Sequence, residues 1–210
     1  MRRVAAAILR LPLAVASVPL AVAAAFVGAP ALVSAHPLAG APNCPIFPAN
    51  NPWNQRVDRL PVAKNSANLI ARIGLNDPVH PDFGSGLYDG EPIGIPYAVV
   101  GSNTHRVPVT FQYASESDKG PYPLPPGVPI EGGYSSSGDR HVIVVDRNTC
   151  TDYELYAAYP HDHGLRWSAG SGAIFNLRSN HLRPATWTSA DAAGLPILPG
   201  LARYSDVAAG

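Results

Sequence analysis

Lysine is nearly missing from this chain: Lys64 and Lys119 are the only two in 210 residues, against thirteen arginines. A GC-rich genome explains that skew most simply, and no partner is read from it. Charge of either sign is sparse, at 14% of residues, and fifteen basic side chains are balanced by fifteen acidic ones. No basic stripe is present, which argues against a nucleic-acid binder. Cysteine occurs only twice, as Cys44 and Cys150, without a Cys-x-x-Cys and with no histidine close to either in sequence. A thiolate metal site or a catalytic thiol therefore has little to rest on. Glycine-rich phosphate loops and dinucleotide fingerprints are absent. Gly170-Ser171-Gly172 is not a nucleophile elbow, because the positions two residues either side of the serine hold Ala169 and Ala173. No cofactor and no metal are expected.

What the chain does have begins at Met1. Met1-Arg2-Arg3 is a short basic start, followed by an Ala/Val/Leu/Pro run from Leu11 to Val33 and then Val33-Ser34-Ala35. Small residues at those last positions suit a signal peptidase, so residues 1–35 read as a secretory leader cleaved after Ala35. The competing reading is a membrane anchor, but Pro12, Pro19 and Pro30 punctuate the run and no basic stop-transfer cluster follows. No later segment is long and apolar enough to span a bilayer. The expected product is secreted, with no stable membrane span, and carries twelve basic against fifteen acidic residues, a charge of about −3. In that compartment an even pair of cysteines is most simply one disulfide, Cys44–Cys150.

Residues 36–61 are rich in proline and asparagine and read as an extended lead lying over the domain. Residues 62–210 read as that domain. Ser66 to Gly74 is the best helix candidate, with Ser66 as cap, Leu69, Ile70 and Ile73 as one apolar stripe, and Gly74 as stop. Beyond it the pattern is strands between turns: Ile95–Val100, Val107–Tyr113, a short Val128–Glu131, and Gly172–Leu177. His141–Asp146 is apolar on both faces and reads as a central covered strand, forming an antiparallel hairpin with Asp152–Ala158. Thr188 or Ser189 caps one more turn. Short strands with Gly/Pro turns and little helix predict a mostly β fold, an antiparallel β-sandwich or jelly roll with one or two short helices. Leu195 to Leu201 is apolar and well punctuated, and a sandwich ordinarily needs a further strand. The chain reads as truncated, with an open edge or apolar groove expected near Leu195–Leu201. Oligomeric state is not legible.

Four runs carry a resemblance: Cys44-Pro45-Ile46-Phe47-Pro48, Asp118-Lys119-Gly120-Pro121-Tyr122-Pro123, Asp139 to Asp146, and Ser189 to Leu201. They look like a family of uncharacterised exported bacterial proteins whose members continue past the end of this chain. The resemblance implies secretion and truncation and brings no activity with it.

Chemistry concentrates at Asp139, Arg140 and His141, at the mouth of the central strand, and at Glu154 on its hairpin partner. Alternation puts Glu154 and Tyr156 on one face of that strand and Tyr153, Leu155 and Ala157 on the other. A carboxylate inside an apolar strand needs a partner or a wet cleft, which His141 or Arg140 would supply. In the sharper reading the protein is a carbohydrate-active enzyme on an extracellular polysaccharide. Glu154 acts with His141, Asp118 or Glu131 supplies the second carboxyl, and Arg140, Tyr156, Trp167 and Trp187 hold sugar. In the blander reading Glu154 forms a buried pair that fixes the hairpin, and the protein is a non-catalytic carbohydrate-binding or surface-interaction module. His161-Asp162-His163 has metal-ligand spacing on an extended segment, with His181 or Asp191 as further ligands. It lacks the glutamate that a cupin places three or four residues on, where Arg166 and Trp167 stand, and reads as a solvated loop.

Overall fold

A computed structural model describes residues 37–78, 86–88 and 90–209, so residues 1–35, expected to be a leader, lie outside the described residues. The chain is mostly strands, with few and short helices. Helix α1 (Ser66–Ile73) ends at Gly74, whose φ of 126° favours glycine. Asn65, not Ser66, holds the capping position, and Leu69, Ile70 and Ile73 face outward rather than into the core. A two-residue ladder, β1 (Leu87–Tyr88) with β2 (Glu91–Pro92), follows.

The core is a four-stranded sheet in the order β3 (Tyr97–Val100), β5 (Val142–Asp146), β6 (Thr151–Tyr156), β9 (Ser171–Asn176). A second sheet runs β4 (Val109–Phe111), β8 (Arg166–Ala169), β7 (Tyr159–His161). The all-antiparallel expectation needs correcting, because β3 runs parallel to β5 and β4 parallel to β8. β3 and β4, which bracket the turn after Val100, lie in different sheets and form no hairpin. Val128–Glu131 forms no strand. Glu131 makes one backbone bond there, its N–H donating to the His141 carbonyl at 3.0 Å. Thr188–Ala193 is a hydroxyl-bonded loop without a helical turn.

The β5–β6 hairpin forms as its pattern requires, with Val142 opposite Leu155 and Ile143 opposite Glu154. All five residues of β5 are buried, and its alternation feeds two cores. Val142 and Val144 join Tyr153, Leu155, Trp167 and Ala169 on the face shared with the three-stranded sheet. Gly172 permits that approach, since a Cβ there would stand 2.6 Å from the Phe111 ring and the Tyr122 hydroxyl. Ile143 and Val145 join Leu38, Ile46, Phe47, Phe175 and Leu198 on the opposite face. The N-terminal lead and the segment near Leu198 therefore cover one face of the central sheet. A Cys44–Cys150 disulfide, with S–S 2.00 Å, fastens that lead to the β5–β6 loop. Among the described residues no helix is long and apolar enough to cross a membrane.

Candidate functional site

Strand direction decides what meets at one end of the central sheet. β5 and β3 begin there, β6 ends there, and β9 begins there. Ile95, His141, Tyr156 and Ser171 are thereby brought along one rim, and all four line a cleft of about 750 Å³. The remaining walls come from Trp53 in the lead, Tyr113, Asp139, the stretch 188–192, and Pro196, Ile197, Gly200 and Leu201. Trp53 sits in a helical turn (Pro52–Asn54) whose start is capped by the Asn51 side chain. Its ring is 47% exposed and packs near Gly200.

His141 is 8% exposed and both of its ring nitrogens are engaged. Nδ1 lies 2.6 Å from Glu131 Oε2 and Nε2 lies 3.1 Å from the Ala190 carbonyl. Burial opposes charge on the ring, yet the Glu131 carboxylate, the Ala190 carbonyl and Asp139 outweigh it and raise the imidazole above its ordinary value. Burial likewise works against the Glu131 charge, and the hydrogen bonds from His141 overcome it and lower that carboxyl. The Tyr156 ring lies 5.8 Å from the imidazole. Two hydroxyls order the wall: Ser171 Oγ donates to the Ser189 carbonyl at 2.6 Å, and Ser189 Oγ contacts the carbonyls of Asp191 and Leu195 at 2.5 and 2.6 Å.

Glu154 lies one rung deeper on the same face, is wholly buried, and does not line the cleft. Its carboxyl accepts the backbone N–H of Ile197 at 2.8 and 2.9 Å and of Leu198 at 2.8 Å. Asp152 lies a further rung inward, fully buried, and neither of its oxygens meets a donor in the described residues. Burial first, and then the neighbouring Glu154, push the Asp152 carboxyl well above the usual range; burial also raises Glu154. Burial thus favours the protonated form of both carboxyls, and their closeness adds to this at Asp152.

Of the residues singled out from the sequence, Asp139, His141, Tyr156 and Asp191 line the cleft, Glu131 holds the His141 ring, and Glu154 lies behind the wall. Arg140, Trp167, Asp118, Trp187 and the His161 loop lie elsewhere. Arg140 is buried, its guanidinium donating to the carbonyls of Ala158, Gly133, Tyr134 and Ser136 beneath the Tyr159 ring. Trp167 is buried in the core on the other face of the sheet. Asp118 pairs with Arg183 and accepts the Ile174 N–H, and neither Asp118 nor Trp187 lines the 750 Å³ cleft. In the candidate metal loop, His161 faces Ser168 Oγ at 2.8 Å and Asp162 pairs with Arg166. A second groove, about 530 Å³, lies beside Leu195 and shares Trp53 and Pro196 with the first. Trp53 and Tyr113 escaped the sequence reading. A tryptophan exposed from the polar Asn50–Asn54 stretch was the available signal for the first. No protein-family model, curated protein or solved structure matches this chain.

Proposed function

We propose that this is an exported protein that recognises an extracellular polysaccharide in the 750 Å³ cleft, with Glu154 anchoring the wall rather than performing chemistry. The observation that carries the reading is the composition of one cavity: Trp53, Tyr113 and Tyr156 line it together with Asp139, Thr188, Ser189 and Asp191. Aromatic faces stack on the apolar faces of sugar rings, and carboxylates and hydroxyls take the equatorial hydroxyls of the same rings. The volume falls within the usual range for ligand sites. Export is supported by the leader read from residues 1–35 and by a disulfide, which persists in oxidising compartments. The β-sandwich reading is supported by a central sheet covered on both faces.

Affinity electrophoresis against a panel of soluble polysaccharides tests this. The wild-type protein is retarded by at least one polymer, and Trp53→Ala weakens that binding about tenfold, roughly 1.4 kcal/mol. Retardation by none of the panel, or an unaffected Trp53→Ala, overturns the reading. Hydrolysis is the second reading, and its support is that two carboxylates, Asp139 and Asp191, line the same cleft. Release of reducing ends that Asp139→Asn or Asp191→Asn abolishes would establish it.

A further inference from the structure

Residues 188–201 form a wall of the cleft and are fixed at two points. At the first, Thr188 N–H reaches Glu116 at 3.0 Å, the Thr188 carbonyl accepts from Arg183, and the Ser189 carbonyl accepts from Ser171. At the second, Glu154 takes the amides of Ile197 and Leu198, and the Leu198 side chain is buried in the core. The stretch 190–196 hangs between them. Among the described residues, its one hydrogen bond back to the sheet is the Ala190 carbonyl to His141 Nε2. Its other bonds stay within the wall, from Ser189, Thr188 and its own turn.

Both groups facing the imidazole are acceptors, the Glu131 carboxylate on one nitrogen and a peptide carbonyl on the other. Only the doubly protonated ring satisfies both. We infer that residues 190–196 are a proton-operated flap over the cleft, held closed by the His141 imidazolium and released when that proton leaves. In the neutral ring the remaining proton stays with the Glu131 carboxylate. Nε2 then presents a lone pair to the Ala190 carbonyl, and a buried acceptor loses its donor. The other charged groups acting on the ring favour its charge: Asp139 before it and Glu154 on β6. Asp191 lines the same cleft, and its carboxylate accepts the Ala193 N–H. Arg140, its chain neighbour, spends its guanidinium on four carbonyls. The inference does not depend on what the cleft binds.

Hydrogen exchange on the wild-type protein from pH 5 to 9, corrected for intrinsic exchange, provides the test, alongside the NMR titration of the His141 ring. The amides of Asp191, Ala193 and Gly194, all hydrogen-bonded within the flap, lose protection about tenfold or more at the pH where His141 titrates. The amides of β5 and β6 hold theirs. Glu131→Gln removes the counter-charge and moves both midpoints to lower pH together. Flap protection that stays flat through the His141 titration overturns the proposal. So does a loss shared equally by β5 and β6, or a flap midpoint that stays put when the His141 midpoint moves. A failure to bind any saccharide would leave these outcomes unchanged.

Discussion

Replacing Glu154 separates a structural carboxylate from a catalytic one. In Glu154→Leu the two amides of Ile197 and Leu198 lose their acceptor in a site without water access, since Glu154 is 0% exposed. Each buried donor left unmade costs about 1–3 kcal/mol. Against that, Leu removes a desolvated carboxyl from beside the buried Asp152, which offsets part of the loss. The net expectation is a loss of about 4 kcal/mol. For a domain of this size that lowers Tm by roughly 8–16 °C. Glu154→Gln behaves differently. Oε1 alone accepts from both amides at 2.8 Å, so a glutamine oxygen placed there keeps both bonds. Its NH₂ then takes the second position, 2.9 Å from the Ile197 nitrogen, where two donors face each other. About 1–2 kcal/mol is expected for that mismatch. Calorimetry or urea denaturation on both variants reads the difference. Two variants within about 0.5 kcal/mol of wild type would refute the anchoring role. A Glu154→Gln protein of native stability that had lost a measurable hydrolytic activity would return the residue to catalysis.

Two further perturbations test the frame around the site. Replacing Cys44 and Cys150 together by alanine opens a loop spanning 106 positions, and chain entropy assigns about 4.7 kcal/mol to a closure of that length. Urea unfolding that shows a loss below about 1 kcal/mol would mean that Leu38, Ile46 and Phe47 hold the lead unaided. Stability should also peak in mild acid. His141 is raised in the folded state, so its contribution is complete below its unfolded value of 6.5 and is lost as pH climbs through the folded one. Asp152, raised far above 3.8, makes the folded state bind a proton that the unfolded chain has released, so stability falls again as pH rises. Glu131, lowered from 4.5, works the other way and withdraws its support as pH falls through its folded value. Scanning calorimetry at pH 5, 7 and 9 should find Tm falling across the series, and a Tm that rises from pH 5 to 7 would contradict these assignments.

The hairpin was legible because its pattern is local. Val142–Val145 is apolar without interruption, and Asp152–Leu155 alternates cleanly, so a covered strand and its partner follow from period and turn alone. Parallel pairing was not legible. β3 and β5 are separated by some forty residues, β4 among them, and nothing in either strand's composition encodes the direction of a neighbour so distant in sequence. The helix stripe misled for a related reason. Leu69, Ile70 and Ile73 state that one side of α1 is apolar but not what that side meets, and in the structure it faces outward. At the site, His141 and Tyr156 were found because both end strands of the hairpin. Trp53 lies almost ninety residues from His141 and reaches the cleft only because the disulfide and the Leu38–Phe47 packing lay the lead across the sheet.

That Glu154 stood out in the sequence, and then proved to lie behind the cleft wall, has a physical cause. A carboxylate within an apolar strand signals an unmet electrostatic demand, and the signal is the same whether a substrate or the chain's own backbone meets it. Here two peptide N–H groups do so, from a segment more than forty positions away that no local pattern ties to β6. The same demand explains the neighbouring carboxyl. Asp152 has no donor of its own among the described residues, and burial beside Glu154 favours its protonated form. His141 repeats the arrangement at the rim, where a single proton decides whether a carboxylate and a peptide carbonyl are both satisfied. The polar groups on this sheet face thus share one task, keeping the 188–201 wall against the sheet. The aromatic and acidic side chains of the cleft that none of these bonds uses are Trp53, Tyr113, Tyr156 and Asp139.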